Sequence, residues 1–359
     1  MKKASNQATM ELSHTADISV IIAYFNGMDC IHRALDSISA QTLPPKEVIV
    51  VDDGSSEEHA NYLDSLAEKY QLTIIRQGNA GQSAARNLGV QNATGDFVCF
   101  LDQDDYYLSQ HNEQLRRSVP EGQKEFGYSF GDVWRVTEAG IVIATSVTEL
   151  ERPQPYSQLW QMVRGNMNIL PSATLINRKA FLEVGGFDVQ FRGYEDDDLF
   201  LRFFLSGYSR VFVREPVSAW TLNTSSTSFT EAMSVSRYKY YRKLHSFFKI
   251  NNIPGYRVFA DLLAPRFAHE FLAEVVRAAF EKSPHYIEKQ MRLREFAADF
   301  ADSTDFRGIM KLKFIFASYC LSRLSPTSLT VLLRLAYPFM GLAEKAGFRG
   351  AKELLTRYL

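Results

Sequence analysis

Three carboxylates crowd the end of one apolar run in the sequence. Phe97 to Leu101 is continuously apolar, and Asp102, Asp104 and Asp105 follow within four positions. So much negative charge at the end of a buried strand raises the free energy of the folded chain, unless a partner neutralises it. Mg²⁺ or Mn²⁺ would do so, because these hard cations bind carboxylate and phosphate oxygens together. From spacing alone, a helix-capping Asp102 beside two solvated carboxylates is an equally good interpretation.

A second acidic pair, Asp52 and Asp53, ends another apolar run. Strand patterns lie at 18–25, 47–53, 72–77 and 96–102, with helical patterns between them. This alternation predicts a mostly parallel sheet flanked by helices, with right-handed crossovers. Since ligands bind beyond the carboxyl ends of such strands, we expect both acidic groups at one rim of the sheet.

The pattern changes twice further along the chain. From about residue 126 a hairpin, a short helix near 156–164 and an acid-led helix at 195–208 are predicted. Past residue 230 the strand patterns vanish, and helices are predicted at 231–250, 255–282, 284–301, 307–323 and 327–346. We therefore predict a flexible leader (1–17), an α/β domain (18–230) with halves at 18–105 and 106–230, and an α-helical C-terminal region (231–359).

Composition narrows the class of protein. Residues 1–230 hold 19 Lys and Arg against 29 Asp and Glu, whereas residues 231–359 hold 21 against 12. The three cysteines are far apart, which argues against a disulfide framework and a zinc–thiolate site. The N-terminus lacks the apolar core of a signal peptide, and no apolar run reaches the roughly 18 residues of a membrane span. These features predict a cytoplasmic protein.

Several segments together resemble the family 2 inverting glycosyltransferases. In order along the chain they are ISVIIAYFN, SISAQTLPPKEVIVVDDGSSE, NAGQSAARNLGVQNATGDFVCFLDQDD, VGGFD and GYEDDDLFLRF. The resemblance covers roughly residues 18–230. It implies the GT-A fold, in which a nucleotide-binding half and an acceptor-binding half use a nucleotide-sugar donor and usually Mg²⁺ or Mn²⁺.

The resemblance implies a set of donor-binding residues. Ala23, Phe25 and Asn26 would border the nucleobase and ribose, and Ala23 replaces the proline that the family often has. Asp53 would accept an N–H from a uracil or thymine ring, which favours a pyrimidine nucleotide. Arg86 would engage donor oxygens in bidentate fashion. The plainer alternatives are a turn-capping Asp53 and a surface Arg86 in a salt bridge.

The same resemblance implies metal ligands. Asp104 matches the second acid of the DxD pattern and is the expected direct ligand, while Asp102 would contact the ribose or the metal shell. Asp105 would cap the following segment. Many members complete the shell with a histidine in the loop equivalent to 218–228, but here Asn223 falls at about that position. Its amide oxygen is a weaker ligand, which puts metal affinity or closure of this loop in doubt.

The acid-led segment supplies the expected base. Asp196 matches the family's catalytic acid, which would remove the acceptor hydroxyl proton, and Glu195 would bind the acceptor or orient the loop. Asp197 and Asp198 are interpreted as helix-start residues. For the acceptor, Asn168 and Ser172 could hydrogen-bond a sugar and Trp134 could stack on one. An ordinary core or cleft position is the alternative for this tryptophan.

The basic C-terminal helices have two interpretations. Residues 307–359 carry nine Lys and Arg against two acidic residues. They could lie on the anionic inner face of the cell membrane, beside a lipid-linked acceptor. They could equally pack on the catalytic domain or form a homo-oligomer interface. No motif for nucleic acid is present.

The leading functional prediction is therefore a metal-assisted inverting glycosyltransferase. It would move a sugar from a UDP- or dTDP-sugar to a hydroxyl of a glycan or lipid-linked acceptor, in surface polysaccharide assembly. One alternative is a sugar nucleotidyltransferase, which would need a Gly-rich basic loop after the first strand. The other is a non-catalytic module of the same fold, for which the missing histidine is the best support.

Overall fold

The computed structural model describes residues 17–148, 154–223, 230–251, 257–303 and 318–336. Within them one nine-stranded sheet consists of β1 Ile18–Tyr24, β2 Glu47–Asp52, β3 Leu72–Arg76, β4 Phe97–Asp102, β5 Tyr106–Tyr107, β6 Phe126–Thr137, β7 Val142–Ala144, β8 Thr174–Asn177 and β9 Ser209–Leu222. The helices are α1 Ile31–Ser39, α2 Glu57–Tyr70, α3 Gln82–Asn92, α4 His111–Arg117, α5 Leu159–Val163, α6 Arg178–Glu183, α7 Glu195–Leu205, α8 Glu231–Ile250, α9 Ala264–Phe280, α10 Tyr286–Asp302 and α11 Pro326–Ala336.

The strand order is β3-β2-β1-β4-β8-β6-β9-β5, with β7 paired to β6. The first four strands of this order run parallel, β8 is antiparallel to both of its neighbours, and β9 runs parallel to β6. The predicted α/β class with a mostly parallel sheet is confirmed. So is the hairpin after residue 126, which is formed by β6 and β7.

Burial explains why these segments adopt these elements. β1 is buried along almost its whole length, as a central strand covered on both faces must be. The helix that follows it, α1, buries Ile31, Ala34, Leu35 and Ile38, which share one helical face. These side chains join the central core of the sheet, so the first β–α unit is fixed by apolar burial.

The described residues fall into two compact units. The first contains those within 1–159 and 167–236, and the second contains those within 160–166 and 237–359. α8 begins at Glu231, where a helix was predicted, but most of the predicted helix at 307–323 and residues 1–16 of the predicted leader lie outside the described residues. The functional division at residue 230 stays a prediction.

The second unit has an aromatic core of its own. The ring of Tyr241 packs within 5.7 Å, between centroids, of those of Phe267, Phe271 and Phe296. The buried guanidinium of Arg266 donates to the carbonyl oxygen of Gly165 at 2.9 Å. None of the described helices combines the length and the apolar character that crossing a bilayer requires.

Candidate active site

Three parallel strands end at one edge of the sheet. In the register of the first unit, Ala23 at the end of β1 lies opposite Asp102 of β4, and Tyr24 lies opposite Asp52 of β2. The two acidic groups therefore share the rim that the sequence predicted for them. The same edge is where open parallel sheets bind their ligands.

Asp53 leaves β2 and organises the next loop. Its Oδ1 accepts hydrogen bonds from the Gln77 side-chain amide and from the Ala80 N–H, each at 2.7 Å, and its Oδ2 accepts one from the Gly81 N–H at 2.8 Å. The residue is only 4% exposed. Asp53 thus holds the loop that leads into α3, and its predicted contact with a base stays a prediction.

The predicted nucleobase border lies at the end of β1. Ala23 is half-buried, while Phe25 is 45% exposed and Asn26 is exposed. The side-chain amide of Gln103 accepts from the Phe25 N–H at 3.0 Å and donates to the Phe25 carbonyl oxygen at 3.2 Å. The Asn26 side-chain oxygen accepts from the Ser56 N–H at 2.9 Å. These hydrogen bonds hold the backbone at the end of β1.

Arg86 joins the two acidic motifs. It lies on α3 and is only 2% exposed. One Nη donates to Asp102 Oδ1, which also accepts from the Gln82 amide at 2.7 Å, and the other Nη lies 3.5 Å from Glu195 Oε1. This buried bridge differs from the surface salt bridge considered above. Since the guanidinium already binds two carboxylates, its predicted bidentate contact with donor oxygens stays a prediction.

Asp104, the predicted direct metal ligand, lies beside Asp102. It is half-buried, and burial together with the charge of Asp102 raises the pKa of its carboxyl group. Within the described residues, no other residue donates a hydrogen bond to this carboxylate. No group of three or more His, Cys, Asp or Glu side chains in that part of the chain forms a complete metal cluster. The carboxylate oxygens of Asp102 and Asp104 would still suit Mg²⁺ or Mn²⁺ if phosphate and water oxygens supplied the other ligands.

Asp105 fastens the end of β9. It is 2% exposed, and its Oδ1 accepts from the Thr221 N–H at 2.8 Å. Burial and the charges of Asp102 and Asp104 raise its pKa well above the usual value. The side-chain hydrogen bonds of Asp105 thus run to Thr221 and Ser172 and not, as expected from sequence, to the segment that directly follows it. Asn223, two residues beyond Thr221, is half-buried, and 224–228 of the predicted loop lie outside the described residues.

The predicted base lies at the start of α7. Burial and the charges of Asp197 and Glu195 raise the pKa of Asp196 well above its usual value. Glu195 Oε2 accepts from the Gly193 N–H at 2.7 Å, and the intervening Tyr194 has a left-handed φ of 69°. The tight turn before α7 therefore sets where Asp196 lies.

The remaining acids of this turn have structural partners. Asp197 Oδ1 accepts from the Met167 N–H at 2.9 Å, and Asp198 Oδ2 accepts from Arg202 Nε at 2.8 Å. Both residues lie in the first turn of α7 and are buried, in agreement with their interpretation as helix-start residues. Asp197 is thus tied to the main chain at Met167, and Asp198 to Arg202 of the same helix.

The predicted acceptor residues are not equivalent. Trp134 is half-buried on β6, and Asn168 is half-buried with a left-handed φ of 55°. Ser172 is 1% exposed, and its hydroxyl lies 3.5 Å from Asp105 Oδ2. This burial argues against the predicted contact between Ser172 and an acceptor, because the hydroxyl points to an interior carboxylate. For the other two residues the acceptor role stays a prediction.

Sequence reasoning missed the polar side chains that support the site. They are Arg33, Gln77, Gln82 and Gln103. Three are glutamines within or beside motifs that the sequence analysis had already singled out. Glutamine amides are neutral, so they leave no charge pattern in the sequence. Their position near the acidic motifs was the one signal that could have indicated their role.

Two family models match this chain. Glycosyl transferase family 2 matches residues 19–185, and Glycosyltransferase like family 2 matches residues 157–297. The first match contains the acidic edge of the sheet, and the second contains the start of α7. Together they span both sets of predicted site residues in the first unit.

Curated relatives are similar over parts of the chain. An uncharacterized glycosyltransferase, YwdF of Bacillus subtilis, is 28% identical over 186 residues, which are 52% of this chain and 67% of that protein. The succinoglycan biosynthesis protein ExoW of Rhizobium meliloti is 44% identical over 101 residues. That match covers 27% of this chain and 32% of ExoW.

A solved structure has a similar fold. The crystal structure of Staphylococcus aureus TarS residues 1–349 in complex with UDP-GlcNAc aligns with a TM-score of 0.55. The alignment covers 79% of this chain and 83% of that one, at 17% identity. This likeness supports the GT-A fold that the strand order displays.

Proposed function

The chain is a glycosyltransferase with a family 2 domain in residues 19–185, and from that premise we propose an inverting transfer from a pyrimidine nucleotide-sugar to a hydroxyl group. The acceptor would be a glycan or a lipid-linked saccharide. Similarity to the succinoglycan protein ExoW supports a place in polysaccharide biosynthesis. Attachment to a membrane surface through the basic C-terminal residues and homo-oligomerisation stay predictions.

One observation carries this proposal: the buried Arg86 bridge between Asp102 and Glu195. Asp102 ends a strand at the ligand-binding edge, and Glu195 precedes the proposed base. The Arg86 guanidinium therefore links the proposed donor-binding residue Asp102 to the residue beside the proposed base. Positioning of this kind is what a two-substrate transfer requires, because both reacting groups must be oriented together.

The described residues divide the chemical roles. Asp196 would accept the proton of the acceptor hydroxyl, and its raised pKa suits a base that must attract that proton. As the new bond forms at the anomeric carbon, the bond to the leaving diphosphate breaks on the opposite face, which inverts the configuration. A divalent cation held by Asp104 and Asp102 would supply Lewis-acid stabilisation of the leaving group. Asn223 would be a further, weaker oxygen ligand.

The test is metal-dependent nucleotide binding. Calorimetry with UDP and Mn²⁺ is expected to give binding in the wild type, and D104A is expected to abolish the metal-dependent part. Asp64 is an exposed acid on α2, so D64A is the matched control and should bind like the wild type. Binding that is unchanged in D104A, or that never requires metal, contradicts the proposal.

The donor can be narrowed by thermal unfolding. A ligand that binds only the folded state raises the apparent stability, so UDP-, dTDP- and GDP-sugars can be ranked by the shift in Tm. We expect the pyrimidine donors to give the larger shifts. The UDP-GlcNAc complex of TarS makes that compound a sensible first probe. A larger shift with GDP-sugars would contradict the proposed base preference.

A further inference from the structure

Arg33 makes an unusual set of contacts outside the residues assigned above. It is half-buried on α1, and one of its Nη atoms donates both to the main-chain oxygen of Asp104 and, at 2.7 Å, to Thr221 Oγ1. Its other Nη donates to the Glu138 carbonyl oxygen at 3.3 Å. The guanidinium carbon lies 5.1 Å from the centre of the Tyr106 ring. One side chain thus reaches three segments of the first unit, around Asp104 and Tyr106, at Glu138 and at the end of β9.

Two of these segments carry predicted metal ligands. Asp104 is the expected direct ligand, and Thr221 lies two residues before Asn223. Thr221 is held twice, because Asp105 accepts its N–H while Arg33 donates to its hydroxyl oxygen. Asp105 and Asp104 are adjacent in one turn. The turn after β4 and the end of β9 are therefore locked together by one carboxylate and one guanidinium.

We propose that Arg33 is a positioning residue that fixes the Asp104 turn and the end of β9 in the geometry that metal-dependent donor binding requires. This inference rests on the proposed function, since it assigns Arg33 a role at that same site. Arg33 does not itself bind the metal. It acts through the main chain of Asp104 and the side chain of Thr221.

The chemistry of arginine suits this role better than that of lysine. The guanidinium is a planar fork with five N–H donors, so it can serve acceptors in several directions while it lies against an aromatic ring. A lysine would restore the charge but not this fixed arrangement of donors. Comparison of the two residues at position 33 therefore separates positioning from a general electrostatic effect.

The first experiment measures positioning without any ligand. Hydrogen–deuterium exchange of the ligand-free protein is compared between the wild type, R33M and T221V. R33M is expected to accelerate exchange about 10-fold in both 104–107 and 218–222, because each segment loses an anchor that closes local opening. T221V should affect mainly 218–222. Unchanged exchange in R33M overturns the inference, whatever the activity of the enzyme.

The second experiment measures the consequence for the metal. Calorimetry with Mn²⁺ in the presence of UDP is expected to show about 10-fold weaker metal affinity in R33M, the usual cost of losing a residue that orients a ligand. R33K should recover only part of this loss. R117M removes an exposed arginine paired with Glu113 on α4 and should match the wild type.

The outcomes separate the two proposals. If R33K binds Mn²⁺ as tightly as the wild type, charge alone suffices and the positioning role is wrong. If R33M unfolds at a much lower temperature than R117M and T221V exchanges like the wild type, Arg33 is only a structural residue and the inference fails. If the wild type binds no UDP with Mn²⁺, the proposed function fails instead, and that result is visible before any variant is made.

Discussion

Two carboxylates at opposite edges of the sheet, Glu47 and Asp104, lie in opposite electrostatic environments. At the amino edge, Glu47 at the start of β2 accepts hydrogen bonds from Ser19 Oγ at 2.6 Å and from the N–H and Oγ1 of Thr94 at 2.7 and 2.8 Å. Burial opposes the charge of Glu47, but these hydrogen bonds outweigh it and lower the pKa. At the carboxyl edge, burial and the charge of Asp102 raise the pKa of Asp104. Burial and the charges of Asp197 and Glu195 likewise raise the pKa of Asp196, at the start of α7.

Ionised Glu47 stabilises the folded protein, whereas ionised Asp104 destabilises it. Glu47 has three donors and binds adjacent strands together. Asp104 stands beside other acids and, among the described residues, receives no hydrogen bond from another residue. Ionised groups without donors lower the stability of a native state, and such groups concentrate where chemistry is done. The raised pKa of Asp104 accords with its proposed role as a metal ligand.

The largest expected effect is on catalysis and follows from replacing Asp196, the proposed base. D196N removes the proposed base while preserving the size of the side chain, so kcat should fall roughly 10²- to 10⁴-fold. UDP binding with Mn²⁺ should be retained, as calorimetry can check. Because the Asp196 carboxyl is costly to ionise in the fold, Tm at neutral pH should also rise. A variant with wild-type kcat would remove Asp196 from the mechanism.

The next largest effect concerns the Arg86 guanidinium, which pairs with the acids Asp102 and Glu195. R86M leaves the carboxylates of Asp102 and Glu195 without their buried partner, which should cost about 3 kcal/mol of unfolding free energy. Urea unfolding measures this loss. The surface variant R117M should lose less than about 1 kcal/mol. Equal stability of the two variants would show that the bridge contributes little.

His111 also contributes to the pH dependence of stability, so its effect must be separated from that of the carboxylates at the two edges. Its imidazole is fully buried, stacks on Tyr107 with centroids 3.6 Å apart, and has Nδ1 3.1 Å from Asn112 Oδ1. Burial lowers the pKa of His111 from 6.5 to about 4. The unfolded chain therefore takes up this proton first. Stability should fall by about 3 kcal/mol as the pH drops from 6.5 to 4.

H111F cannot bind that proton and should lose this part of the pH dependence, even if its stability at pH 7 is lower. Urea midpoints measured at several pH values give the slope directly. A wild-type slope that persists in H111F would assign the acid sensitivity to the carboxylates alone.

The smallest expected effects are also those of opposite sign. E47Q should destabilise the protein by about 1 kcal/mol at neutral pH, since it loses charge-assisted hydrogen bonds. Its lowered pKa means that this difference fades as the pH falls through the pKa of folded Glu47. D104N should instead stabilise the protein, and increasingly so as the pH rises above the pKa of unfolded aspartate. Two variants that shift stability in the same direction would break the comparison.

The order of elements and the acidic rim were readable from the sequence. Apolar runs such as Ile18–Tyr24 have the length and composition of buried strands, and Asp52 and Asp102 stand directly at the ends of two of them. In a parallel sheet such positions must meet at one edge, so no contact information was needed. The start of α7 was visible for a similar reason, because four consecutive acids suit a helix N-terminus.

The partners of the side chains were not readable in the same way. Arg86 and Glu195 are 109 residues apart, and Arg33 and Thr221 are 188 apart, so no local periodicity relates them. Ser172 was predicted to hydrogen-bond an acceptor sugar, yet it is buried and its hydroxyl lies 3.5 Å from Asp105 Oδ2. Which polar groups face inward depends on the packing of several elements, and a single sequence does not encode that locally.

The Gln103 clamp on Phe25 has a practical consequence for redesign. Both backbone groups of residue 25 are already satisfied by one amide, while the residue is 45% exposed. Under the proposed donor contact of Phe25, side-chain variants at this position would change that contact while Gln103 still holds the backbone. Asp53 offers no such freedom, since a change there would dismantle the turn into α3. The proposed donor contact of residue 25 can therefore be tested by substitution without removing the Gln103 hydrogen bonds to its backbone.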